Sequence, residues 1–177
     1  MNKAIFLLIF FFVLIGNTDA QKFGYVDTDF ILNKMPEYTK AQQQIDELST
    51  EWREDIQEQY KEIASMYDQL QAEEVLLTAE MKDERTAEIR EKEEEVKEYQ
   101  KKVFGYNGLF FLKKQELIKP VQDKVFEAVE KIANDHRLQV VFDKAGDLVM
   151  IYTNPMHDYT DFVLEELGLG DDNDVIK

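Results

Sequence analysis

Two histidines, His136 and His157, are the only imidazoles in the chain, and there is no cysteine. The missing thiol removes thiolate nucleophiles, disulfides, a lipid-attachment site and sulfur-bound metal from consideration. Neither histidine belongs to a His-Glu-x-x-His pair. No glycine-rich phosphate loop occurs, and no Ser, His and Asp set has supporting context. The other groups able to move protons or hold metal are Asp143 and Lys144 at a predicted strand end, Asp158 and Asp161 at a predicted helix start, and the Glu93-Glu94-Glu95 run. Each has a simpler structural role. His136 falls near a helix end, where an imidazole meets the carbonyl dipole. His157 precedes a helix cap at the surface, and the glutamate run reads as a solvated face. The pattern is that of a non-enzymatic chain, with no catalytic residue, metal ligand or cofactor implied.

The elements that could position any site are set by composition and patterning. Lys3, the apolar run Ala4 to Ile15 and the small residues of Thr18-Asp19-Ala20 have the layout of a cleavable signal peptide over residues 1–20, which implies export. The run is too short for a spanning helix. The 157 residues that follow, of 177, keep the full net charge of −16, since Lys3 and Asp19 cancel. That acidity disfavours nucleic acid and anionic membrane surfaces, which reward clustered Lys and Arg. Charged residues make up 33% of the chain and only 7 Gly and 3 Pro interrupt it, which suits long solvated helices.

Phe23 to Val26 predict a short strand. Asp27 or Thr28 caps a short helix carrying Phe30, Ile31 and Leu32, and Pro36 ends it and opens the next. From Glu37 to Leu77 there is neither Gly nor Pro. Ala41, Ile45, Leu48, Trp52, Ile56, Tyr60, Ile63, Tyr67 and Leu70 recur at steps of three and four, one face of a helix about 60 Å long. The chain turns near Val75 to Thr78, Thr78 caps the returning helix, and Met81, Ile89, Val96, Tyr99 and Val103 form its stripe. Pairs at i, i+4 (Glu88–Lys92, Glu93–Lys97, Glu98–Lys102) support that helix. Gly105 and Gly108 interrupt it, either to let the Trp52 indole pack closely or as a hinge.

Pro120 restarts or kinks the helix. Val121, Val125, Phe126, Val129, Ile132 and Ala133 form its next stripe. Leu138 to Phe142 and Leu148 to Tyr152 predict a strand hairpin around Ala145-Gly146-Asp147. Asp158 caps a last helix with Gly168 just past its end. The fold class is therefore α+β: a small strand-bearing body with one N-terminal and two C-terminal strands, and a long α-helical hairpin arm. The divisions are residues 1–20 as signal peptide, 21–36 and 111–169 as body, 37–110 as arm and 170–177 as acidic tail. Three short strands make a poor independent sheet, so self-association through the body is expected.

The order of these elements resembles the Skp/OmpH family of periplasmic chaperones. The likeness rests on Phe23-Gly24-Tyr25-Val26-Asp27, the long charged hairpin, the block from Leu117 to Val125, Val140 to Lys144, Ile151-Tyr152 and the segment from Asp158 to Leu164. The resemblance implies a homotrimer shaped like a jellyfish, with strands of three chains in a central body and three hairpins around a cavity. It implies an ATP-independent holdase that binds unfolded outer-membrane β-barrel proteins and prevents their aggregation. A client surface would then be apolar side chains on the arms: Tyr60, Met66, Tyr67, Leu70, Leu76, Leu77 and Met81, with Phe110 and Phe111 nearer the body. The departure is charge. Residues 57–97 hold thirteen acidic and six basic side chains, a net −7, where the arms of the family's best-studied members are basic. This disfavours lipopolysaccharide and acidic phospholipid as partners. The alternative to a holdase is a periplasmic coiled-coil spacer or adaptor that holds one folded partner.

Overall fold

The computed structural model describes residues 21–146 and 149–170. The proposed signal peptide and the tail beyond residue 170 lie outside the described residues. The elements are β1 (Phe23–Val26), α1 (Thr28–Lys34), α2 (Pro36–Glu73), α3 (Ala79–Phe104), α4 (Leu109–His136), β2 (Val140–Asp143), a 3-10 turn (Pro155–His157) and α5 (Thr160–Glu166). The described residues group into two compact units, one of those up to Ile31 together with those from Phe126 onward, the other Leu32–Val125.

The Leu32–Val125 unit is built on a helical hairpin. Met35 has extended backbone at the N-cap of α2, and Pro36 follows in the first turn, where its missing N–H leaves no bond unmade. Uninterrupted by Gly or Pro, α2 runs 38 residues, about 57 Å at 1.5 Å per residue. Thr78 caps α3 as its spacing predicts, its hydroxyl accepting from the Met81 N–H at 3.3 Å. Glu80 in the first turn and Lys101 and Lys102 in the last match the helix dipole at both ends. Ile56 and Ile63 of α2 and Ile89 and Val96 of α3 form one buried seam cluster. A second cluster joins Ala41 and Ile45 of α2 to Ile118 of α4, with Tyr38, Phe110 and Leu117 packed on it.

Between α3 and α4 the chain makes a joint. Gly105 caps α3 with extended backbone, Asn107 takes φ 53°, and the Gly108 carbonyl accepts the first α4 bond from Leu112 at 3.1 Å. A Cβ on Gly105 would strike the Lys101 carbonyl oxygen, and one on Gly108 would come within 2.9 Å of the Lys102 carbonyl oxygen. The glycines are thus needed by the chain's own backbone rather than by the indole. Trp52 instead meets Phe104 edge-on, with ring centroids 6.4 Å apart. Pro120 does not restart a helix, because it lies inside the continuous α4.

The other unit has a two-stranded sheet. β1 and β2 pair in parallel, with Phe23 opposite Val140 and Val26 opposite Asp143. Parallel pairing requires a crossover, which the 113 residues between these strands, Asp27 to Gln139, supply many times over. On the other side of β1, Tyr25 bridges Asp158 and its carbonyl accepts from the Tyr159 N–H at 2.9 Å. The ring of Tyr159 lies against Gly24, where a Cβ would come within 2.5 Å of it. Val163 of α5 is fully buried, and Ala128 and Ile132 of α4 are also buried.

Four expectations need correction here. Among the described residues there is no third strand: Val149 to Tyr152 form none, and Leu148 lies outside them. The far side of β1 is engaged by Asp158 and Tyr159, and Val149, Ile151 and Tyr152 stay exposed. Phe126 is exposed, and the buried row of α4 is instead Val121, Val125, Ala128 and Ile132. Asp158 does not cap the last helix. Its carboxylate accepts from the Thr160 N–H at 3.0 Å two residues on, an Asx turn, while Tyr159 occupies the cap. The ion pairs on α3 are Lys92–Glu95 at 2.8 Å and Lys97–Glu94 at 3.7 Å, both i, i+3 and exposed, not the i, i+4 pairs expected.

Candidate functional site

Several of the groups singled out for chemistry make contacts that hold the fold. Asp143, ending β2, accepts from the Thr28 N–H at 3.2 Å, the Thr28 hydroxyl at 2.7 Å and the Ala145 N–H at 3.0 Å. This ties β2 to the start of α1. Asp27 caps α1 by accepting from the Phe30 N–H at 2.9 Å, and its other oxygen is 3.4 Å from Lys144 Nζ. The Asp27 N–H donates to Thr160 Oγ1 at 3.0 Å, which fixes the start of α5. The His136 ring sits against Tyr159 and Phe162, with centroids 5.1 and 4.8 Å away. His157 is half-buried against Phe23 at 4.9 Å rather than free at the surface. Among the described residues no group of three His, Cys, Asp or Glu is placed to hold a metal.

The hairpin concentrates the exposed apolar surface that the sequence singled out. Met66 and Leu70 are half-buried against the seam cluster. Tyr60 and Tyr67 reach across the hairpin from its flank. Tyr60 donates to Gln100 Oε1 at 3.3 Å and Tyr67 to Glu93 Oε1 at 3.0 Å, and both rings stay partly exposed. The bond to Glu93 raises the Tyr67 hydroxyl above its ordinary pKa, because ionising it would remove the proton that bond needs. At the far end, Leu76 is 80% exposed, Met81 is exposed and Leu77 is half-buried. Val75, which the periodicity passes over, is 91% exposed. An apolar residue inside a turn was its only signal. Phe110 is half-buried against Phe104 at 5.9 Å and on the second cluster, and Phe111 and Leu112 are exposed.

Ion pairs fasten the surface without enclosing a polar site. Lys124 meets Glu37 at 3.2 Å, and the Glu37 carboxyl is held below its ordinary pKa, first by its own backbone N–H at the head of α2 and then by Lys124. Lys131 of α4 meets Glu166 of α5 at 2.6 Å, a bond that raises the ammonium. These pairs are exposed, where such contacts add little. Among the described residues, Ser49 Oγ on α2 is buried and has no partner. No helix among the described residues is long and apolar enough to cross a membrane.

Residues 22–167 match the family model for outer membrane protein (OmpH-like). No curated protein matches the chain. Among solved structures, a candidate outer membrane chaperone (OmpH-like) from Caulobacter crescentus CB15 is similar in fold, with a TM-score of 0.68 at 11% identity and 86% of each chain covered.

Proposed function

This chain belongs to the OmpH-like outer membrane protein family, and we propose that it is an ATP-independent periplasmic holdase for unfolded outer-membrane β-barrel proteins. Family membership supports a chaperone role. The observation that carries the finer reading is the hairpin. Its buried seam is closed by only a few side chains, yet its end presents Val75, Leu76 and Met81 to solvent. A spacer gains nothing from such exposure, whereas a surface for unfolded apolar segments requires it.

In this reading residues 1–20 direct export and are removed, and 37–110 form the arm. Residues 21–36 and 111–169 form the body, and 170–177 are an acidic tail. The client surface is Tyr60, Met66, Tyr67, Leu70, Leu76, Leu77 and Met81, with Phe110 and Phe111 toward the body. Assembly as a homotrimer is supported by the exposed Val149, Ile151 and Tyr152, which a lone chain leaves wet. The acidic surface disfavours lipopolysaccharide and anionic phospholipid. The test is light-scattering aggregation of several unrelated unfolded barrel proteins, with the intact chain added and no nucleotide. Suppression for all of them is expected. Suppression for none, together with tight binding of one folded protein, would establish an adaptor instead.

A further inference from the structure

We propose that the end of the hairpin selects cationic unfolded segments, chains in which Lys or Arg alternates with apolar residues, over acidic ones. This rests on the holdase reading and specifies the chemistry of its clients. Between residues 73 and 84 the exposed Val75, Leu76 and Met81 are set among five acids (Glu73, Glu74, Glu80, Asp83 and Glu84) and a single base, Lys82. That base is already used, because Lys82 Nζ lies 3.5 Å from Glu74.

The imbalance persists along the hairpin. Of the thirteen acids and six bases in residues 57–97, three of each are joined in ion pairs, leaving ten acids against three bases. All ten are exposed except Glu93, which accepts from Tyr67. An apolar patch alone would take any greasy segment. An apolar patch inside a field of one sign attracts a segment of the other sign and repels its own. That field reaches about 10 Å at 0.1 M salt, enough to cover the residues on either side of a bound apolar side chain.

The experiment uses the intact chain and two unfolded polypeptide probes of equal length and apolar content. One carries Lys and Arg at its polar positions and the other Asp and Glu, and binding is read by fluorescence anisotropy. At low salt the cationic probe is expected to bind at least about tenfold tighter, and raising salt to about 0.5 M should erase most of that preference. The triple variant Glu73→Lys, Glu84→Lys and Glu88→Lys should move the preference toward the acidic probe. All three side chains are exposed and in no ion pair. Glu73→Lys also places a cation at a helix end whose last turn has none. Equal affinity for the two probes at low salt, or a preference the triple variant leaves unmoved, would overturn the inference while leaving the holdase reading intact. Binding of neither probe at any salt would overturn both.

Discussion

In the hairpin, Ile56, Ile63, Ile89 and Val96 find one another within a single chain, and Ile89 and Val96 are almost completely buried. In the strand-bearing unit, Val149, Ile151 and Tyr152 are 86%, 99% and 81% exposed, although they are as apolar as the seam residues. The two regions differ in where the partner of an apolar side chain comes from. A helical hairpin supplies its own second layer, because the chain folds back on itself over many turns. A two-stranded parallel sheet does not, and Val149, Ile151 and Tyr152 stay exposed beside it.

The sharpest way to break that contrast is in the seam. Ile89→Ala should cost roughly 2–4 kcal/mol, the usual penalty for emptying a buried isoleucine site. Denaturant unfolding followed by circular dichroism would show it, and a loss under ~0.5 kcal/mol would mean that the seam does not hold the hairpin. Ile151→Ala should behave differently. It should leave helix content unchanged and weaken self-association by about 2 kcal/mol per chain, from lost apolar burial in the assembly. Sedimentation across a concentration series reads this, and unchanged association would remove residues 149–152 from the interface.

Much of the arm was legible in the sequence. The steps of three and four along α2, the missing Gly and Pro, and the Thr78 cap are local signals, and local signals decide a long helix. The strand unit was legible only in part. The unbroken apolar run from Leu148 to Tyr152 carries the mark of a strand, but a strand exists only with a neighbour, and composition does not say which chain provides it. The Asx turn at Asp158 resembles a cap because both put a carboxylate on a backbone N–H two or three residues on. Of the proposed site, the end of the hairpin could be placed from the turn signal. The cross-hairpin bonds of Tyr60 and Tyr67 depend on register between two helices, which no single segment records.

Two smaller effects sharpen the account of the hairpin. Gly105→Ala should cost about 1–3 kcal/mol, because its new methyl would collide with the Lys101 carbonyl and force the α3–α4 joint to shift. If thermal melts are unchanged and helix content rises, the joint is a relaxed hinge rather than a packed turn. Ser49→Ala should stabilise by about 1 kcal/mol, since the buried hydroxyl it removes has no partner. A destabilised variant would mean that Ser49 makes a bond in the assembled protein.

The most direct test of the holdase shortens the arm while sparing its turn. Deleting residues 57–70 of α2 and 84–97 of α3 removes matched blocks of about 21 Å and keeps residues 71–83 between them. The deleted chain and the intact one are compared for suppression of aggregation of unfolded barrel proteins, with oligomeric state measured alongside. The account predicts trimers that no longer protect. Trimers that protect as well as the intact chain would contradict it.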